Sequence, residues 1–132
     1  MASLPMQEPG KYQTTFKLWK EFRFEAAHQL TKVAAGHQCA RLHGHSYVVR
    51  VHCEGLLDPT HDWVLDYADI SAVARPIIQE LDHRNLNDIL PGETTAENLA
   101  WWILQKLTPV LPQLAAIEVF ETPGTGVRLE KN

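Results

Sequence analysis

The sequence predicts an α+β fold: a four-stranded antiparallel sheet with two helices on one face, inserted between strands 2 and 3. Two long stretches, Phe16 to His28 and His43 to Glu54, alternate apolar and polar residues, the period of a half-buried strand. Two later stretches repeat their apolar residues at helical spacing. Alternation then returns over Leu114 to Thr122 and Val127 to Glu130. The order is strand, strand, helix, helix, strand, strand, and two helices on one face of such a sheet make a sound two-layer domain.

In the first strand Phe16, Leu18, Phe22, Phe24 and Ala26 are apolar while Lys17, Arg23 and Glu25 face the other way, with a bulge expected near Trp19 to Glu21. His28 closes this strand on the parity of Phe24 and Ala26. Gln29 to Leu42 has no period, contains Gly36 and reads as a loop carrying Cys39 and Arg41. In the second strand Tyr47, Val49, Val51 and Cys53 share a face with His43 and His45.

Asp66 is expected to cap the first helix, whose face is Ile70, Val73, Ala74, Ile77 and Leu81. Pro76 within it predicts a kink. Leu81 to Asp88 reads as a polar exit. Thr94 as cap and Glu97 three residues on form a capping box for the second helix, which runs through Leu99, Trp102, Ile103 and Leu107. Gly124 and Gly126 flank the turn before the last strand.

The length of 132 residues suits one domain, placed at 16–132 behind a flexible N-terminal tail at 1–15. A net charge of −4 argues against nucleic acid as a partner. No apolar run is long enough to span a membrane, and the first residues lack the basic start and apolar stretch of a signal peptide. Two cysteines, Cys39 and Cys53, make no disulfide framework and suit a reducing cytoplasmic setting.

The chemistry concentrates in Cys39-Ala40-Arg41-Leu42-His43-Gly44-His45, with His28 upstream. Residues i and i+2 of a strand point to one face, so His43 and His45 can reach one ion, with His28 as third ligand. Three ligands with one open position are the pattern of a catalytic zinc. Imidazole also suits nickel, copper and iron. Cys39 has three readings at this point: a fourth ligand of a structural zinc, a thiol activated by nearby positive charge from Arg41 and the metal, or a small buried hydrophobe. Asp82-His83 is either an acid–base pair, with the carboxylate orienting the imidazole, or a solvated helix end. Glu121 is either a strand-end charge or a carboxylate accepting two N–H bonds from the edge of a flat heterocycle.

His28, the Cys39-to-His45 run, Leu81-Asp82-His83-Arg84-Asn85-Leu86-Asn87, Thr95-Ala96-Glu97-Asn98 and Glu121-Thr122 together resemble the 6-pyruvoyltetrahydropterin synthase family. Phe24-Glu25-Ala26-Ala27-His28 and Gly36-His37-Gln38-Cys39 resemble its bacterial branch, the 6-carboxy-5,6,7,8-tetrahydropterin synthases of queuosine biosynthesis. The resemblance runs from about Phe16 to Leu129. It implies the tunnelling fold, with three subunits joining their sheets into a barrel and two trimers stacking as a homohexamer whose active sites lie between subunits. It implies one Zn2+ per subunit on His28, His43 and His45, with Cys39 as catalytic base. Asp82 and His83 become the acid–base pair, supplied by a neighbouring subunit, and Glu121 the anchor of the pterin. Thr95 lines that pocket, and Lys32, Arg41 and Arg84 are candidates to hold triphosphate.

The substrate implied is the small-molecule pterin 7,8-dihydroneopterin triphosphate, converted to 6-carboxy-5,6,7,8-tetrahydropterin with release of acetaldehyde and triphosphate. The alternatives are 6-pyruvoyltetrahydropterin synthase activity, which stops at elimination of triphosphate, or a structural-zinc or pterin-binding protein without turnover. Two departures from the family pattern stand out. Thr94 replaces a common proline, and Thr122-Pro123-Gly124-Thr125-Gly126 differs from common family endings.

Overall fold

The computed structural model describes residues 10–132. Its centre is a long hairpin, β1 (Phe16–His28) against β2 (His43–Gly55), antiparallel in one continuous register from Phe16↔Gly55 to His28↔His43. The expected bulge near Trp19 is not there. The irregularity lies instead at His52/Cys53, where β2 meets β4 (Leu114–Phe120). β5 (Val127–Glu130) pairs antiparallel with β4.

The sheet has five strands, not the four expected, and it is mixed. β3 (Arg84–Asn85) lies parallel to β1, opposite Ala26 and Ala27, giving the order β3-β1-β2-β4-β5. The stretch read as a polar exit is drawn onto the sheet edge by Glu25. The His83 N–H donates to the Glu25 carbonyl at 2.6 Å, and the Glu25 N–H donates to the Asp82 carboxylate at 2.9 Å. Two residues are too short for any alternation to show in sequence.

The helices α1 (Tyr67–Gln79) and α2 (Ala96–Leu107) follow β2 and precede β4, so the expected insertion point stands once β3 is counted between them. Asp66 caps α1 by accepting from the Ala68 N–H at 2.9 Å. Pro76 sits within a single unbroken helix. The cap of α2 is Thr95, not Thr94: the Asn98 N–H donates to the Thr95 hydroxyl at 3.2 Å. Thr94 is fully buried, its hydroxyl donating to the Gln29 carbonyl.

One sheet face forms the core. Phe22 and Phe24 of β1, Tyr47, Val49 and Val51 of β2, and Ile117 and Val119 of β4 pack against Ile70, Ala74 and Ile78 of α1 and Leu99, Ile103 and Leu107 of α2. Each buried valine, leucine, isoleucine or phenylalanine among these contributes about 1.5–3 kcal/mol. The loop after β4 is held close: a Cβ on Gly126 would come within 2.5 Å of the Phe120 ring, so only glycine fits. Of the expected tail, residues 1–9 lie outside the described residues. Lys11–Gln13 form a 3-10 turn, with Tyr12 donating to the Asp62 carboxylate at 2.6 Å. Among the described residues no helix is long and apolar enough to cross a membrane.

Candidate metal centre and its surroundings

The apolar core face of the hairpin ends in histidine. Continuing the parity of Phe22, Phe24 and Ala26 places His28 at the end of β1, opposite His43, and His45 opposite Ala26. The three rings therefore converge. Their centroids are 4.6 Å (His28–His43), 5.0 Å (His28–His45) and 4.8 Å (His43–His45) apart. One ligand atom from each lies within 4.8 Å of the other two.

Backbone carbonyls set the orientation of two of the rings. His28 Nδ1 donates to the Thr94 carbonyl at 2.7 Å, and His43 Nδ1 donates to the Arg41 carbonyl at 2.7 Å. A proton on Nδ1 leaves Nε2 with a free lone pair, the arrangement that outer partners impose on metal-bound imidazoles. His28 is 1% exposed, and its Nε2 is a buried nitrogen with no partner among the described residues. Such an orphan costs about 1–3 kcal/mol unless something meets its lone pair. A metal ion beside two further imidazoles meets it, so these residues fit a divalent cation with affinity for nitrogen. Burial pushes the His45 imidazole pKa down, opposed by the Glu121 carboxylate, whose oxygen lies 3.9 Å from His45 Nε2. A lowered pKa favours the neutral ligand form. The Tyr47 hydroxyl, beside His45 on the same face, is the other buried side-chain polar atom without a partner among the described residues.

Cys39 lies outside this histidine group. It sits on a 3-10 turn (Gln38–Ala40), half-buried, with its N–H donating to His37 Nδ1 and its carbonyl accepting from the Leu30 N–H at 2.7 Å. Asp82 and His83 do meet: His83 Nδ1 is 3.0 Å from the Asp82 carboxylate. His83 holds a left-handed backbone conformation (φ 58), which turns the chain onto β1 and lets adjacent side chains touch. The Glu25 N–H, and then the His83 ring, hold the Asp82 carboxyl below its ordinary pKa.

Gly44, His45 and Ser46 form a divide between two clefts. One, of about 510 Å³, is lined by Glu25, His45, His83 and Arg84. The other, of about 520 Å³, is lined by His45, Arg50, Phe120, Glu121 and Thr122. Thus His83 and Arg84 share the first cleft with His45 and Glu121 shares the second, while His28 and His43 line neither. Lys32, Arg41 and Thr95 line neither cleft. Arg41 serves the centre through its backbone, and the Thr95 hydroxyl is used as the cap of α2.

Sequence reasoning missed the carbonyl of Thr94, which orients His28, and the carboxylate of Glu93, which accepts from Thr31 and Lys32. A backbone carbonyl has no residue signature. Glu93 follows Gly92 in a loop and carries no local pattern.

Comparison with known proteins agrees with this geometry. The sequence model of the family described as 6-pyruvoyl tetrahydropterin synthase matches residues 17–132. A 6-carboxy-5,6,7,8-tetrahydropterin synthase from Synechocystis sp. is 40% identical over 118 residues, covering 84% of this chain and 90% of that protein. A dihydroneopterin monophosphate aldolase from Pyrococcus furiosus is 36% identical, covering 81% and 90%. The structure of Caenorhabditis elegans 6-pyruvoyl tetrahydropterin synthase superposes with a TM-score of 0.82 at 26% identity, covering 90% of this chain and 97% of that one. Matched across nearly its whole described length, and bearing a histidine centre able to hold a metal, the chain belongs to the 6-pyruvoyl tetrahydropterin synthase family.

Proposed function

We propose that the protein is a zinc-dependent lyase acting on the side chain of 7,8-dihydroneopterin triphosphate. The observation that carries this reading is the orphaned Nε2 of buried His28, oriented beside His43 and His45 in a chain of this family. A zinc ion held there would act as a Lewis acid toward the side-chain hydroxyls.

The chain's own residues supply the rest. Glu121, at the end of β4 and sharing a cleft with His45, accepts N–H bonds from the amino-pyrimidinone edge of the pterin. Cys39 takes a side-chain proton as thiolate. His83, steadied by Asp82, moves the remaining protons; its exposed ring and 3.0 Å contact with the carboxylate suit an imidazole that gains and loses a proton. Arg84, which shares a cleft with His83, binds the triphosphate in this reading, with Lys32 and Arg41, which line neither cleft, as further cations. Among the described residues β3 and β5 leave unpaired outer edges, which supports assembly of three sheets into a barrel and of two barrels into a hexamer. The exposed clefts on either side of His45 would then be closed by neighbouring subunits.

Two reactions share this machinery. Cleavage to 6-carboxy-5,6,7,8-tetrahydropterin with release of acetaldehyde and triphosphate is supported by the Synechocystis relative. Elimination of triphosphate alone, with the three-carbon side chain kept, is supported by the Caenorhabditis elegans structure and by the family description. The test is to incubate zinc-loaded protein with dihydroneopterin triphosphate and identify every product. Acetaldehyde with a carboxylated pterin establishes the first reaction, and a retained side chain the second. The monophosphate is run alongside because the Pyrococcus furiosus relative is an aldolase for that compound. Absence of turnover on every substrate removes the enzymatic reading.

A further inference from the structure

The loop that joins the two ligand-bearing strands, residues 29–42, is mostly exposed and holds Cys39 near its far end. A loop with so little apolar burial is held by hydrogen bonds. A group of them lies at its beginning, where one carboxylate accepts from three donors. Glu93 accepts from the Thr31 N–H at 2.9 and 3.0 Å, from the Thr31 hydroxyl at 2.6 Å and from the Lys32 N–H at 2.9 Å. Charge-assisted bonds of this kind are roughly twice as strong as neutral ones.

Immediately before this clamp, the Leu30 N–H donates to the Cys39 carbonyl at 2.7 Å. The clamp and the cysteine are therefore one bond and one residue apart. Glu93 is itself fixed. Asn98 of α2 donates its side-chain amide to the Glu93 carbonyl at 2.9 Å, and the next residue, Thr94, gives its carbonyl to His28. A single short segment ahead of α2 thus sets both a metal-facing ring and the entry to the cysteine loop.

We propose that Glu93 is a positioning residue for Cys39: its carboxylate, by gripping Thr31 and Lys32, fixes the place of the thiol relative to the three histidines. This rests on the role given to Cys39 under the proposed function. Glu93 touches no reacting atom in this scheme; it acts through Thr31, Lys32 and Leu30.

The test uses full-length, metal-loaded protein and two variants. Glu93→Gln keeps the shape but turns an amide N–H toward the donors of Thr31 and Lys32. Glu93→Asp keeps the charge on a shorter arm. The expected result for E93Q is a fall in kcat of about 10- to 100-fold, the effect of a small misplacement of a reacting group. KM and bound metal stay unchanged, and E93D recovers part of the loss. Cys39 alkylation by iodoacetamide at one fixed pH, followed on its own peptide, changes in rate in E93Q and returns toward normal in E93D. Unchanged kcat and unchanged alkylation in E93Q overturn the proposal. So does loss of the metal together with the activity, which would place the role of Glu93 in the histidine centre.

If E93Q does not fold, Thr31→Val, which removes only the hydroxyl donor, carries the same comparison with a smaller fall. Wild-type protein that turns over no pterin defeats the proposed function, while the alkylation rates still decide whether Glu93 holds Cys39.

Discussion

The two histidine sites of this molecule are built in opposite ways. His28, His43 and His45 stand on the longest, most regular strands, and two of the three rings spend Nδ1 on a backbone carbonyl. His83 stands on a turn with a left-handed backbone, its side chain 77% exposed and its Nδ1 facing a carboxylate. The first arrangement turns the remaining ring nitrogens toward one point. The second sets an exposed ring against a carboxylate. Under the proposed function the same side chain serves as a fixed ligand where a carbonyl meets Nδ1 and as a proton carrier where a carboxylate does.

Substitutions should separate the two. His28→Ala is expected to have the largest effect: metal affinity falls by more than about 100-fold, beyond what loss of an outer partner alone costs, and metal analysis of purified protein checks it. His83→Asn, chosen because asparagine tolerates the left-handed conformation, should lower kcat by about 10²- to 10⁴-fold. Metal content and thermal midpoint should stay near the wild type. If His83→Asn lost metal, or His28→Ala kept it, the division of labour would be wrong.

A subtler distinction comes from acid. The Glu25 N–H, then His83, depress the Asp82 carboxyl, and Thr31, then Lys32, depress that of Glu93. Both groups therefore bind fewer protons folded than unfolded. The stability they contribute is present above the ordinary carboxylate pKa and is lost as pH falls through the depressed folded value. The urea midpoint should accordingly drop between pH of about 5 and about 3, and Asp82→Asn should flatten part of that drop. Smallest of all, Thr95→Ala removes the cap of α2 and should cost about 1 kcal/mol. A loss far larger than that would mean that Thr95 also holds Thr94 against His28.

The histidine centre was legible because it obeys the period of two. Once Phe22, Phe24 and Ala26 were assigned to the core face, His28 had to follow them, and the hairpin carried His43 and His45 to the same place. Asp66 was legible as a cap for an equally local reason. The α2 cap was displaced by one residue because Thr94 and Thr95 offer the same hydroxyl, and only the burial of Thr94 against Gln29 decides between them. β3 left no trace because it consists of two residues paired with Ala26 and Ala27, and the Asp82 contact that leads into it reaches Glu25, 57 positions away. Glu93 was invisible for the same reason, since its donors lie 61 and 62 residues upstream.

The uninterrupted pairing of β1 with β2 limits how this chain can vary over evolutionary time. With no bulge to absorb an extra residue, one insertion between Phe22 and His28 would carry His28 to the opposite side of the sheet and dismantle the centre at a stroke. Relatives that keep the metal should therefore differ in length only beyond these strand ends, above all in the stretch from Gln29 to Leu42. There the distance from Glu93 to Cys39 can be retuned without disturbing the ligands.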